Sequence, residues 1–143
     1  MASTMGGLTA RLPVWVAALW WASLTTIGFL VVPLLFIHLP TPAMAGGMAA
    51  KLFTAQTWVS VACGGFLLLL SSSKQGSVQA QRAQAAIIFI LLGLLLALLV
   101  EFAVAPRIVA RSNLKLWHSV GTGMYLLQWI SAAVVFWRIT PKQ

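Results

Sequence analysis

The chain has 143 residues, of which 61% are hydrophobic and only 7% are charged. A water-soluble domain carries about a quarter charged residues, so this composition excludes an ordinary soluble globule and predicts a protein whose main solvent is lipid. The net charge of +8 does not indicate nucleic-acid binding, because no dense run of Lys and Arg occurs. The cations flank apolar segments instead, which is typical of anchoring to a lipid bilayer.

Four apolar segments are each long enough for a helix to cross about 30 Å of hydrocarbon. They do not alternate polar with apolar residues, as the strands of a membrane barrel do, so helices are predicted. The predicted spans are residues 13–37, 51–70, 85–105 and 116–137. The expected fold is all-α, a four-helix transmembrane bundle with up-down-up-down topology, forming a single membrane domain over residues 1–143.

The first apolar segment has to be distinguished from a cleaved signal peptide. Ala43-Met44-Ala45 is an acceptable small-residue cleavage pattern. The segment is much longer than a signal core of about 7–15 residues, so we expect it to be retained as a membrane span. Pro33 lies near its end and Pro106 follows the third span, and each proline is expected to kink or end its helix.

The charges at the helix ends give a prediction of orientation. Four spans place both ends of the chain on one side, together with Arg11, Lys74, Arg82, Arg138 and Lys142. The opposite side receives Lys51, Arg107, Arg111 and Lys115. The positive-inside rule then predicts a multi-pass protein of the bacterial inner (plasma) membrane with its termini in the cytoplasm.

Glu101 is the only acidic residue of the chain. It lies within the third apolar segment or at its margin, where an ionised carboxylate is costly. Gly93 and Ala97 precede it at intervals of four residues, and small residues mark close helix contacts, so we expect Glu101 to face neighbouring helices. Helix alternation gives it four candidate partners at the non-terminal end, namely Lys51, Arg107, Lys115 and His118. This group is either a buried ion pair or a proton or ion site.

A polar stripe crosses the fourth span. Its members follow one helix face at spacings of four, three and three, and they are His118, Thr122, Tyr125 and Gln128. We expect the stripe to face the bundle interior. It is either a proton relay or ligand track, or a set of interhelical hydrogen bonds.

The two histidines indicate a second candidate site, one that would bind haem or copper. His38 and His118 are on different helices at the same predicted end, and such a pair can ligate haem iron or copper. Met44 and Met48, near His38 in sequence, would suit Cu(I). Cys63 is the only cysteine, which excludes an intrachain disulfide and a multi-thiolate site.

Three functions therefore stay open, and none is a soluble-type enzyme, because no phosphate-binding loop, zinc-protease motif or nucleophile elbow occurs. The first is a homo-oligomer that binds or passes a small ion or solute. There Glu101 would accept the ion, Arg107 and Lys115 would tune its charge, and His118 would relay protons. The second is a haem or copper protein. The third is a structural or accessory subunit of a larger membrane complex.

The sequence also resembles the bacterial domain-of-unknown-function 4149 family. The first half of the resemblance lies in Trp20-Trp21, Val32-Pro33-Leu34-Leu35-Phe36 and Ala45-Gly46-Gly47-Met48-Ala49-Ala50-Lys51-Leu52-Phe53. The second half lies in Val104-Ala105-Pro106-Arg107-Ile108 and Leu116-Trp117-His118-Ser119-Val120-Gly121. Eukaryotic transmembrane protein 205 looks like a relative, and copper-resistance D-like membrane bundles look distantly similar. The resemblance implies a four-helix membrane domain, and the copper-resistance likeness adds support to haem or copper.

Overall fold

The computed structural model describes residues 2–72 and 78–141. For residues 2–10, 72, 78–80, 82 and 83 it describes the backbone but not the side chain. Its α-helices in chain order are α1 (Ala2–Thr25), α2 (Val32–His38), α3 (Pro42–Ser72), α4 (Val78–Leu99), α5 (Ala105–Val109) and α6 (Leu114–Ile139). A first π-helical segment, Thr26–Val31, joins α1 to α2, and a second, Val100–Val104, joins α4 to α5. The predicted all-α class is confirmed.

Within residues 2–72 and 78–141, four stretches are long and apolar enough to cross a membrane, as predicted for a four-helix transmembrane bundle. We call them spans one to four, and they cover Arg11–His38, Pro42–Ser71, Gln84–Val109 and Leu114–Ile139. Span three ends at Val109 rather than at residue 105, because its helix continues past Pro106, and span two begins at Pro42 rather than at residue 51. Of the cations used to predict orientation, Lys74, Lys142 and the side chain of Arg82 lie outside the described residues.

Each proline follows a π-helical segment inside its span. Proline lacks an N–H, and its ring crowds the preceding helical turn. In both spans a wider, π-helical turn accommodates the proline. The Val32 N–H donates to the Ile27 carbonyl, and the Ala105 N–H donates to the Val100 carbonyl, in each case five residues earlier. Neither Pro33 nor Pro106 therefore ends its helix. Spans one and three share the same backbone arrangement, a π-helical segment followed by a proline in the first turn of the next α-helix.

The spans pack as a four-membered ring. In this ring α1 and α4 each contact both α3 and α6. The core at its centre contains the side chains of Trp20, Leu24, Leu67, Ile90 and Val135. Large apolar side chains also cover the outer surface, which is expected where a helix bundle meets lipid rather than water.

Gly28 permits a close approach between spans one and four. A Cβ atom built at Gly28 would overlap the ring of Tyr125, whereas one built at Gly123 meets nothing within 4 Å. We expect Gly28→Ala to destabilise the bundle by about 1–3 kcal/mol, the usual cost of overpacking. Thermal unfolding in bilayers or detergent measures this, with Gly123→Ala as the matched control. Equal stability of the two variants would contradict the packing described here.

Candidate functional site

The carboxylate of Glu101 joins spans two and three. The hydroxyl of Thr54 on α3 donates to it, at 2.9 Å from Oε1 and 3.1 Å from Oε2. The side chain of Glu101 is half-buried and faces a neighbouring helix, in agreement with its place on the face of Gly93 and Ala97. The only acid of the chain is thus held by a neutral hydroxyl at a helix interface.

The backbone around Glu101 is itself unusual, since Glu101 is the second residue of the π-helical segment Val100–Val104. Eight residues separate it from Val109 at the end of span three, which at 1.5 Å per residue is about 12 Å along the helix. Because Pro106 has no N–H, one carbonyl of this segment loses its helical donor. Single π-helical turns occur frequently at functional sites, so the location is notable.

The structure does not pair Glu101 with the predicted cations. The side chains of Lys51, Arg107, Lys115 and His118 are exposed. Among the described residues none of them forms an ion pair with Glu101. Arg107 instead donates to the carbonyl of Ala103 and lies over the ring of Trp117, 4.5 Å from its centroid. Of the two alternatives for Glu101, the ion pair is therefore not formed, and the hydroxyl of Thr54 is the partner instead.

The polar stripe of span four divides into an outer and an inner part. His118 and Thr122 are exposed, and the Thr122 hydroxyl donates to the His118 carbonyl of its own helix. Tyr125 donates to the carbonyl of Leu24 at 2.7 Å, and the buried Gln128 donates to Ser60 Oγ at 2.9 Å. Only the inner half therefore makes the interhelical bonds that the spacing predicts.

Span two supplies polar groups that the sequence reasoning missed. Besides Thr54, it places Gln56 and Ser60 in the core, with 2% and 0% of their surfaces exposed. Gln56 Nε2 donates to Ser23 Oγ of span one at 2.9 Å. The signal was present, because Gln56 and Ser60 lie four residues apart in an otherwise apolar segment and hence on one helix face.

Aromatic rings connect the Glu101 site to span four. The ring of Phe53, the neighbour of Thr54 in α3, meets that of Tyr125 edge to face with centroids 5.2 Å apart. Tyr125 also touches span one through its hydroxyl. Phe53 thus links span two to span four, and Tyr125 links span four to span one.

The histidines lie at the ends of their spans. His38 ends α2 and His118 lies in the first turns of α6, both with exposed side chains. Met44 and Met48 are also exposed. The described part of the chain contains no group of three or more His, Cys, Asp or Glu that could hold a metal ion. A haem or copper site at His38 and His118 stays a prediction, which the absorption spectrum of the purified protein would test.

The fold and the site together define an integral membrane protein of four helices with a carboxyl group between two of its spans. Residues 15–115 match the family described as Domain of unknown function (DUF4149), and the chain belongs to that family. No curated protein and no solved structure matches it. The matched residues include Thr54 and Glu101. The likeness to transmembrane protein 205 and to copper-resistance D-like bundles stays a prediction.

Proposed function

We propose that this protein binds protons within the membrane and passes them across it, with Glu101 as the group that takes up and releases the proton. One observation carries the proposal: the Glu101 carboxylate lies inside a membrane span with the Thr54 hydroxyl as its hydrogen-bond donor. Ionisable residues inside membrane spans are rare, and they mark ion pathways and proton relays.

The charge around Glu101 favours a mobile proton. An ionised carboxylate removed from water requires a compensating charge or several hydrogen bonds. Among the described residues Glu101 has one donor, Thr54, and no cation in an ion pair. A proton bound to the carboxylate removes the uncompensated charge without any other change in the bundle.

The small number of oxygen ligands favours a proton over a metal cation. A hard cation such as Mg²⁺ or Ca²⁺ is held by about six or more oxygen atoms. The carboxylate of Glu101 and the hydroxyl of Thr54 provide three side-chain oxygens. A proton needs only one of them, and the Thr54 hydroxyl can either donate to the carboxylate or accept from the carboxylic acid.

In this proposal, protons reach Glu101 along the contact between spans two and three. Lys51 precedes Thr54 by one helical turn of α3, toward the non-terminal end of the bundle, and its side chain is exposed. In this scheme the charges of Lys51, Arg107 and Lys115 set the electrostatic potential at the non-terminal end, which does not require contact with Glu101. His118 would exchange protons with water at that end, because a proton relay acts only within hydrogen-bond reach or through a water molecule.

The proposal extends to location and assembly. We place the protein in the bacterial inner membrane with both termini in the cytoplasm, as its distribution of Lys and Arg favours. Four helices with a packed centre enclose no wide aqueous path, so a homo-oligomer would complete the route between subunits. If the protein is instead an accessory subunit, it should co-purify with a partner in fixed stoichiometry.

A hydrophobic carbodiimide tests the site directly, since it reacts with a carboxylic acid that lies in hydrocarbon. We expect modification of Glu101 in bilayers, located by peptide mass spectrometry, and loss of proton flux in the modified protein. Thr54→Val should change the modification rate several-fold. Thr57→Val is the matched control, because the Thr57 hydroxyl donates to the Phe53 carbonyl of its own helix.

Two outcomes of the carbodiimide experiment would contradict the proposal. If Glu101 stays unmodified in the folded protein but reacts after unfolding, its carboxyl is closed within the structure, and the proposal fails. Equal modification rates in Thr54→Val and Thr57→Val would show that the Thr54 hydrogen bond does not control the carboxyl.

A further inference from the structure

Spans one and three carry the same short motif at the same place in the helix. Phe, Val and Pro recur at a distance of 73 residues in Phe29-Leu30-Val31-Val32-Pro33 and Phe102-Ala103-Val104-Ala105-Pro106. The π-helical hydrogen bond before each proline recurs at the same distance, from Val32 to Ile27 and from Ala105 to Val100. Sequence and backbone therefore repeat together.

The buried faces of the spans repeat as well. The three buried residues of span one have buried counterparts 73 residues later in span three, and the pairs are Ala17 and Ile90, Trp20 and Gly93, and Leu24 and Ala97. In spans two and four the distance is 72 residues, which also separates the first residues of α3 and α6, Pro42 and Leu114. The buried pairs there are Gln56 and Gln128, Ser60 and Ala132, and Cys63 and Val135.

Equivalent residues meet at the centre of the bundle. The ring of Trp20 lies against Gly93, with an indole carbon 2.8 Å from the position that a Cβ atom would take there. The rings of Phe53 and Tyr125, which are 72 residues apart, meet edge to face with their centroids 5.2 Å apart. Because equivalent positions of two copies come together only near the axis that relates them, these two pairs indicate a two-fold axis at the centre.

The contacts between the first two spans and the last two also repeat. In a two-fold interface, the contact of residue i with residue j occurs a second time with the copies exchanged. Between spans two and three, a side-chain carbon of Leu94 lies 2.7 Å from the position of a Cβ atom on Gly64. The counterparts of these residues are Trp21 and Phe136, whose rings stack between spans one and four with centroids 6.0 Å apart.

We infer that the bundle is built from two copies of one helical hairpin, related by a pseudo-two-fold axis along the membrane normal. Spans one and two form the first copy, and spans three and four form the second. Some membrane transporters consist of parallel repeats related in this way, with their binding sites at the interface between the repeats.

The repeat gives the position of Glu101 a counterpart. Glu101 and Gly28 are equivalent, and each faces the other hairpin: Glu101 is bonded to Thr54, whereas Gly28 packs against the ring of Tyr125. The carboxyl group thus occupies one of two equivalent places at the interface between the repeats. The repeat itself stands whether or not Glu101 carries protons.

Distances between pairs of spin labels, measured by double electron–electron resonance on the full chain in bilayers, test the inference. The background is Cys63→Val, and labelled chains are diluted with unlabelled ones so that only distances within one chain are measured. Four exposed residues form two equivalent pairs, Trp15 with Ile88 and Met44 with Leu116. Trp15→Cys/Met44→Cys should give the same distance as Ile88→Cys/Leu116→Cys. Trp15→Cys/Leu116→Cys should likewise agree with Ile88→Cys/Met44→Cys.

Leu95→Cys/Leu116→Cys is the matched control, because Leu95 is exposed and lies seven residues beyond Ile88 in the same helix, nearer the end of the bundle that holds Leu116. Its distance should be shorter by about 10 Å, at 1.5 Å per residue, so the measurement resolves an error of two helical turns. If either set of equivalent distances differs by as much as this control, no two-fold axis relates the hairpins, and the inference is overturned.

Discussion

Replacement of Glu101 by glutamine is expected to lower proton flux by about a hundredfold, the scale on which one positioned proton-transfer group contributes. Glutamine preserves the size of the side chain and can still bond to Thr54, but its amide cannot take up and release a proton as a carboxyl group does. The measurement is the pH change inside proteoliposomes that carry a trapped indicator and an imposed membrane potential.

The controls for this variant separate chemistry from folding. Glu101→Asp keeps a carboxyl group on a shorter side chain, so part of the flux should remain. The thermal stability of Glu101→Gln should stay near that of the wild-type protein, because glutamine can still bond to Thr54 and interhelical hydrogen bonds in membranes contribute about 1 kcal/mol. Wild-type flux in a folded Glu101→Gln protein would remove Glu101 from the mechanism.

Replacement of Trp20 by alanine is expected to cause the largest loss of stability, about 3–5 kcal/mol, the range seen for Phe or Trp to Ala in cores. Trp20 is 0% exposed, and the far edge of its indole lies against Gly93 of span three, 2.8 Å from the position a Cβ would take. Removing the ring leaves a cavity that bridges spans one and three.

Trp15 is the matched control for Trp20, because it lies five residues earlier in α1 with 70% of its surface exposed. Trp15→Ala should change the free energy of unfolding by less than about 0.5 kcal/mol. Denaturation in mixed micelles of detergent and sodium dodecyl sulfate measures both variants. Equal losses in the two would show that Trp20 does not occupy the centre of the bundle.

The fold could be predicted from the sequence because lipid imposes a simple rule. A segment that crosses hydrocarbon must satisfy its own backbone, so length and apolarity are enough to predict four helices. The two prolines were harder to interpret. Pro33 and Pro106 were expected to end or kink their helices, yet each helix continues through a π-helical segment. Residue spacing alone does not reveal that extra residue in the turn.

The candidate site was predicted only in part. The small residues at intervals of four before Glu101 indicated that it faces another helix, and it does. The identity of its partner depended on which residue of span two lies opposite, and this is set by how the helices pack rather than by charge. The charge pattern favoured a cation as the partner of Glu101, whereas the packing places Thr54 there. The polar face of Gln56 and Ser60 is visible in their spacing of four residues, but spacing does not identify the partners of that face.

The most direct test is the ¹³C NMR signal of the Glu101 carboxyl in bilayers, since a chain with one acidic residue gives one such side-chain signal. We expect this signal to shift in Thr54→Val and to stay unchanged in Thr57→Val, because the Thr54 hydroxyl donates to the Glu101 carboxyl whereas the Thr57 hydroxyl donates to the Phe53 carbonyl of its own helix. A signal that is indifferent to Thr54→Val would contradict a Glu101 carboxyl held by Thr54 between spans two and three.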